Sequence, residues 1–149
     1  MLMEKKVNLI KLCVGIDSLS ELEERQSRLI LPKKFKNPKN FTFHLTRMYP
    51  QREKEILSGG SLYWVIKGQI LGRQKISFLE RIKDENNIKR CLIVLEKKIY
   101  ITQTLPRKPF QGWRYLEPEV SPKDVSIYNK SDEELPHNLK LELYKIGVL

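Results

Sequence analysis

The middle of the chain constrains the fold most, because residues 61–104 alternate short apolar runs with turn residues. Gly68 allows a tight turn between two such runs. The run that follows is too long for one flat strand, so Gly72 predicts a bend or bulge within it. Residues 84–87 are typical of a hairpin connection. The predicted strands span residues 61–67, 69–82, 88–96 and 99–104. Successive hairpins predict an antiparallel or mixed sheet, and its glycine bends predict that it curves into a partly open barrel.

Two strand–helix pairs precede this meander. Ser18 begins the first helix, because Ser18-x-x-Glu21 fits a capping box, and Pro32 ends it. The glycine pair after Ser58 ends the second helix. The remaining predicted elements are a strand at 7–16, helices at 18–31 and 50–57, a strand at 41–48, a short aromatic segment at 110–116, a loop with one short turn at 118–129 and a closing helix at 131–146.

Apolar spacing predicts which side chains these elements bury. Strand 41–48 alternates, so Phe41, Phe43 and Leu45 are expected on its buried face and His44 on its polar face. Leu29 and Ile30 continue the apolar stripe of the first helix. The predicted fold class is α+β: one domain over residues 1–149, built on a curved, mostly antiparallel sheet or partly open barrel with two to three flanking helices.

Composition excludes several classes of protein. The chain has 149 residues, of which 40% are hydrophobic and 31% charged, as in a single globular domain. No apolar run approaches the ~18 residues that a membrane span requires. Cys13 and Cys91 lie within apolar runs, which is typical of buried, reduced thiols in a cytoplasmic protein. These observations argue against a membrane protein, a disulfide scaffold and a coiled coil.

The charge favours a polyanionic partner. Lys and Arg number 28 against 18 Asp and Glu, for a formal net charge of +10. Basic side chains neutralise phosphates and release counterions, so nucleic acid is the expected partner. The alternative is that the excess is compositional. The densest basic run is predicted to act as an electrostatic arm and contains Lys33, Lys34, Lys36 and Lys39.

Five blocks of sequence carry a resemblance to a known family. They are LCVG at 12–15, HLTRM at 44–48, GGSLYWVIKG at 59–68, RQ at 73–74 and PFQGWRYL at 109–116. Together they resemble a family of small uncharacterised bacterial proteins, a domain of unknown function. The resemblance implies a cytoplasmic protein of one domain and implies no activity.

A second resemblance concerns the fold alone. A short helix, a glycine turn and the strands of a curved barrel look like the PUA superfamily and its ASCH branch. Gly59 matches the glycine of the ASCH motif, whereas Ser61 and Trp64 stand where its lysine and glutamate would be. The resemblance implies binding of RNA or modified nucleotides in a cleft beside that turn.

The candidate nucleic-acid site combines arginine forks, which suit phosphates, with an aromatic ring that can stack on a base. The structural alternative is that the tryptophans are core and that the arginines form ion pairs with the available glutamates Glu53, Glu55, Glu80 and Glu117. Trp64, which shares a strand face with Leu62 and Ile66, is expected in the core. The predicted binding residues are Arg47, Arg52, Lys67, Arg73, Gln111, Trp113 and Arg114.

His44 is the candidate for a second hypothesis, a small enzyme acting on a nucleotide or modified nucleoside. Its ordinary pKa near neutrality suits a general base, whereas the alternative is a hydrogen-bonded strand histidine. The cysteines and histidines are too scattered for a zinc motif, so no metal or cofactor is predicted. A third hypothesis is an interaction protein whose exposed aromatic side chains dock a partner. RNA or another single strand remains the leading prediction.

Overall fold

Two α-helices and eight β-strands make up the structure, a computed structural model that describes residues 5–31 and 38–129. The elements are β1 (Asn8–Leu12), α1 (Leu19–Ser27), β2 (Phe41–Thr46), α2 (Glu53–Leu57), β3 (Ser61–Ile66), β4 (Gln69–Lys83), β5 (Lys89–Glu96), β6 (Tyr100–Pro106), β7 (Trp113–Leu116) and β8 (Asp124–Ile127). Short 3-10 turns at Pro38–Asn40 and Pro118–Val120 complete them. The α+β class is therefore confirmed, with α1 and α2 as the helices of the described residues.

The strands form one curved sheet that does not close. Its order is β2-β5-β4-β3-β1-β7, and β6 pairs with both β4 and β8. The pairing of β1 with β3 is parallel, and the other six described pairings are antiparallel. Parallel strands need a crossover connection, which α1, β2 and α2 supply here. The sheet is therefore mixed, with the predicted antiparallel meander as its larger part.

The long strand β4 joins the two halves of the sheet. Its first half pairs with β3 and β6, and its second half, from Ile76 onward, pairs with β5. The register with β6 shifts between Ile70 and Gly72. A Cβ atom at Gly72 would lie 2.9 Å from the carbonyl oxygen of Tyr100. The predicted irregularity at Gly72 is therefore confirmed, and the close approach of β6 explains why a glycine stands there.

The main core lies where β2 and β5 fold over β1 and β3. Trp64 is 2% exposed and contacts the His44 ring edge-on, with the ring centroids 5.2 Å apart. Leu19 and Leu22 of α1 close this core from one side. The prediction that Trp64 belongs to the core is confirmed. The helix also begins as predicted, since Ser18 Oγ accepts a hydrogen bond from the amide of Glu21 at 3.2 Å.

Three elements end earlier than the sequence predicts. β1 stops at Leu12, because the chain turns through Gly15 at φ +75° and leaves Val14 69% exposed. α1 stops at Ser27, after which the amides of Arg28 and Leu29 bond to carbonyls only three residues back. Leu29 and Ile30 are consequently exposed rather than part of the buried stripe. Similarly, β2 ends at Thr46 rather than at residue 48.

The face of β2 that enters the core is the opposite of the predicted one. Thr42 and Thr46 are buried, whereas Leu45 is 43% exposed. Phe41 and Phe43 instead pack on a smaller cluster around Leu92 and Val94. The prediction was wrong because alternation does not tell which face of a strand meets the larger core when both faces are covered. His44 therefore points toward Trp64 and not to solvent.

The C-terminal part of the described chain adds a strand that was predicted as loop. Residues Asp124–Ile127 form β8, which pairs with β6 at an edge of the sheet. All four side chains of β8 are exposed, so no burial pattern marks them in the sequence. The predicted closing helix at 131–146 lies outside the described residues, as do Lys33, Lys34 and Lys36. No helix within 5–31 and 38–129 is long and apolar enough to cross a bilayer.

Candidate functional site

Arg52 forms ion pairs that connect the start of α2 to the residue that follows β7. Its guanidinium donates to both carboxylate oxygens of Glu55, at 2.8 and 2.9 Å, and to Glu117 at 2.7 Å. The guanidinium carbon also lies 5.0 Å from the centroid of the Tyr115 ring. Hydrogen bonds from Arg52 lower the pKa of both glutamates. The Arg52 charge is thus neutralised by two of the four glutamates that the structural alternative named.

Arg73 is also held by an acid, although not by a predicted one. Its guanidinium forms a two-pronged ion pair with Asp124 of β8, at 2.8 and 2.6 Å, and donates to Ser61 Oγ at 2.7 Å. It lies 4.2 Å from the centroid of the Tyr100 ring. Arg73 and Asp124 line a cavity of about 260 Å³ whose rim includes Lys6 and Lys123. The ion pair between Arg73 and Asp124 connects β8 to β4.

Trp113 is half-buried and packs on the core from the far side of β1. Its Nε1 donates to the carbonyl oxygen of Met48 at 2.8 Å, and its ring contacts Tyr115 edge-on at 4.9 Å. Arg47 precedes Met48 and is exposed. Arg47, Arg52 and Trp113 therefore belong to one neighbourhood, where the β2–α2 connection lies against β7.

Arg114 lies on the other face of β7. In the register, Arg114 is opposite Ile10, which is opposite Tyr63, which is opposite Arg73. These residues form one row across four strands on the outer face of the sheet, with Arg114 and Arg73 about 14 Å apart at normal strand spacing. The predicted arginines consequently divide between two faces and do not line one cleft.

The connection from β6 to β7 gathers cations around an aromatic ring on this outer face. The amide of Arg107 donates to the carbonyl oxygen of Gly68 at 2.7 Å, which brings the connection beside Lys67. Arg114 lies 5.4 Å from the centroid of the half-buried Phe110 ring. The set of Lys67, Arg107, Lys108, Phe110, Gln111 and Arg114 is called the Phe110 surface below. Its one described ion pair is a 4.0 Å contact between Lys67 and Asp17, both well exposed.

Sequence reasoning missed half of this surface. Arg107, Lys108 and Phe110 were not among the predicted residues, although they directly precede the predicted Gln111, Trp113 and Arg114. The signal was the aromatic ring of Phe110 beside two adjacent basic residues. Lys39, the one arm lysine within the described residues, is exposed in the turn before β2.

His44 lies against Trp64 in the core, and these surroundings set its protonation state. Burial lowers its pKa to about 4, with the charges of Lys11 and Arg25 acting in the same direction, so the imidazole is neutral at pH 7. Its Nε2 is buried and has no hydrogen-bond partner among the described residues. Burial raises the pKa of Cys91 to about 12, so a Cys91 thiolate does not assist it.

Beside His44 lies a cavity of about 110 Å³ that the sequence did not predict. Its lining includes Lys11 and Cys13 from the end of β1, Arg25 and Gln26 from α1, and Trp64. The available signal was Lys11 itself, a lysine within the apolar run that forms β1.

Comparison with known proteins places the chain in a family. No curated protein and no solved structure matches it. Residues 9–149 match the model of a family described as "Protein of unknown function (DUF1489)". That match covers all but the first eight residues, and it includes all five blocks on which the resemblance to an uncharacterised family was based. The chain therefore belongs to the DUF1489 family.

Proposed function

We propose that the protein binds single-stranded nucleic acid, RNA above all, on the Phe110 surface. The observation that carries this proposal is Arg114 beside the half-exposed Phe110 ring, with Arg107 and Lys108 in the same connection and no carboxylate paired to any of the three among the described residues. Cations of this kind neutralise phosphates, and a ring beside them offers a stacking platform for a base.

The hydrogen bonds of Arg114 support Arg114, rather than Arg52 or Arg73, as a phosphate contact. Arg114 donates to the carbonyl oxygens of Gln111 and Trp113, at 2.9 and 3.2 Å, so its charge stays uncompensated. A phosphate at Arg52 or Arg73 would instead have to displace a carboxylate already held in a charge-assisted pair. The proposal therefore retains Lys67, Gln111 and Arg114 as contacts and treats Arg52 and Arg73 as structural.

The helices favour a single strand over a duplex. A recognition helix enters the major groove with a basic or neutral face. The exposed side of α1 carries Glu21, Glu23 and Glu24, and the first turn of α2 carries Glu53 and Glu55. The curved, open sheet also supports the finer proposal that the fold is PUA-like, a class whose members bind RNA beside a glycine turn.

The test measures the salt dependence of binding to a fluorescently labelled single-stranded RNA. The logarithm of affinity is expected to fall with the logarithm of salt by about 0.7 per phosphate contacted. The double variant Lys108→Ala/Arg114→Ala is expected to reduce this slope by about one to two units. Phe110→Ala is expected to weaken binding with little change in slope, because stacking releases no counterions.

A matched control removes two charges elsewhere. Lys83 and Lys89 face each other across the far end of the β4–β5 hairpin and are exposed. The variant Lys83→Ala/Lys89→Ala is expected to leave the slope close to that of the wild type. Equal losses in the two double variants would show that net charge alone drives binding. Absence of binding at physiological salt would remove the nucleic-acid proposal altogether.

A further inference from the structure

The cavity beside His44 is lined by residues from four elements, and exposed residues such as Val14 and Leu29 form part of its lining. The end of β1 and the turn after it contribute Lys11 and Cys13, α1 contributes Arg25 and Gln26, β2 contributes His44 and β3 contributes Trp64. Its two charged lining residues are both basic, and none of the lining residues in the described part of the chain carries a carboxylate. The pocket thus presents one charge sign, with Lys11 half-buried and Arg25 exposed at its mouth.

Lys11 reaches this cavity from β1, which lies between β3 and β7. Its register partners are Trp64 on β3 and Trp113 on β7, so its side chain shares the inner face of the sheet with both tryptophans. Burial lowers the pKa of Lys11. An ammonium group on an apolar face is unfavourable unless an anion pairs with it, and no carboxylate among the described residues does so.

Arg25 faces the same space from α1. The backbone turn at Gly15 makes room for it, because a Cβ atom there would lie 3.3 Å from Nη2 of Arg25. The ion pair described on this helix joins Glu24 to Arg28, one turn further on, and leaves Arg25 unpaired among the described residues. Two cations on different elements therefore converge without a counterion.

The neighbouring polar groups cannot satisfy His44. The side-chain amides of Gln26 and Gln74 bond to each other at 2.7 and 2.9 Å, and Trp64 Nε1 donates to Gln74 Oε1 at 2.8 Å. These bonds fix the amides and leave the buried Nε2 of His44 without a partner. A neutral imidazole with a free Nε2 can donate one hydrogen bond to an oxygen atom.

We propose that this cavity binds a small oxyanion, the phosphate or carboxylate group of a metabolite, between Lys11, Arg25 and His44. Its volume of about 110 Å³ is below the ~150 Å³ that suffices for benzene, so it encloses one such group and no aromatic base. The site is independent of the Phe110 surface, because Lys11 is on the inner face of the sheet and Arg114 on the outer face. Failure of RNA binding would leave it untouched.

Sulfate is the probe for the first test, because it stays fully ionised from pH 5 to pH 9. Titration into the ¹⁵N-labelled full chain is followed through the indole resonance of Trp64 and the ring resonances of His44. We expect saturable shifts of both. Absence of shifts at His44 and Trp64 up to tens of millimolar sulfate would overturn the proposal.

Matched variants on one helix give the second test. Arg25→Gln is expected to weaken sulfate binding about tenfold or more, through loss of a charge-assisted hydrogen bond. Arg28→Gln removes the same charge three residues on, from an arginine already paired with Glu24, and is expected to change affinity less than about twofold. Equal losses in the two variants, or none in either, would overturn the site.

Lys11→Met supplies a readout that does not depend on Arg25. It keeps the packing of the side chain on the tryptophans while removing the charge, so we expect a folded protein with sulfate binding weakened about tenfold or more. Undiminished binding by this folded variant would overturn the role of Lys11. Methyl phosphate and acetate then distinguish the two sources of the oxyanion, since the one that binds more tightly identifies the group that the site prefers.

Discussion

Gln26 of α1 and Gln74 of β4 are joined by two amide–amide hydrogen bonds, each side chain donating its Nε2 to the Oε1 of the other. Gln74 also accepts from the indole of Trp64 and donates to the carbonyl oxygen of Glu96. One fully buried amide thus connects a helix, the strand shared by both halves of the sheet and the largest ring of the core. This makes Gln74 a polar centre within an apolar interior.

Replacing Gln74 is therefore expected to destabilise the protein strongly. Gln74→Ala removes the partner of Trp64 Nε1 and of the Gln26 amide, and each buried group left without a partner costs about 1–3 kcal/mol. We expect a loss of about 3 kcal/mol or more in the free energy of unfolding, measured by urea denaturation. Gln69→Ala, at the exposed start of the same strand, is the control. A loss no greater than that of the control would contradict the buried network.

Acid is expected to destabilise the fold through His44. Burial lowers its pKa to about 4, against an ordinary value of 6.5, so the unfolded chain binds a proton between those values and the folded chain does not. The contribution of His44 to the free energy of unfolding is then fully present above pH 6.5. It is lost as the pH drops toward 4, by about 3 kcal/mol in total. The titratable groups that line the cavity beside the imidazole are Lys11 and Cys13, from β1 and the turn after it, and Arg25 from α1.

The measurement is the pH dependence of unfolding for the wild type and for His44→Gln, together with the ring resonances of His44. The difference between the two proteins isolates His44 from the carboxylates that titrate nearby. A His44 midpoint near 6.5, or an unchanged profile in the variant, would refute this prediction.

Both cysteines are expected to resist a thiol reagent in the native protein. Cys13 and Cys91 are free and buried, and burial raises the pKa of Cys13 to about 11 and that of Cys91 to about 12. Because the thiolate is the reactive form, labelling at pH 7 should be slow until denaturant unfolds the chain. Labelling rates with and without urea test this. Cys91 labelled as fast in the native state as in urea would contradict its burial.

Gly60 is expected to tolerate no side chain. A Cβ atom there would overlap the carbonyl oxygen of Val7 and lie 2.7 Å from that of Ile56, and both are backbone atoms that cannot turn away. Gly60→Ala should therefore destabilise by about 3 kcal/mol or more. Gly112→Ala is the comparison, since its Cβ would meet open space and only its φ of +69° is unfavourable, by about 1–2 kcal/mol. Thermal melts rank the stabilities of the two variants. A Gly60→Ala protein that is more stable than Gly112→Ala would contradict the clash.

Local patterns predicted the parts of the fold that depend on neighbours in sequence. The meander from β3 to β6 follows from alternation and turn residues, and the irregularity at Gly72 follows from a glycine within a long strand. Trp64 was assigned to the core from the apolar side chains on its own strand face. Each of these inferences uses residues a few positions apart, where chain geometry leaves few alternatives.

The parts that were missed depend on contacts between distant residues. Arg73 pairs with Asp124, 51 positions away, in a strand whose exposed side chains give no pattern. The inward face of β2 is decided by where β3 packs, and not by which face of β2 is more apolar. Lys11 and Arg25 line the same pocket only because α1 packs beside β2. Alternation and charge counts carry no information on these long-range pairings.

The position of β1 sets the order in which this sheet can be completed during synthesis. β1 leaves the ribosome before both of its neighbours in the sheet, because it lies between β3 and β7. One of its edges has no partner until β3 has been made, and the other stays open until Leu116 has emerged. The nascent chain therefore carries an apolar strand with an unpaired edge until β7 has been made. Such an edge is the kind of surface on which chaperones act and on which misassembly begins.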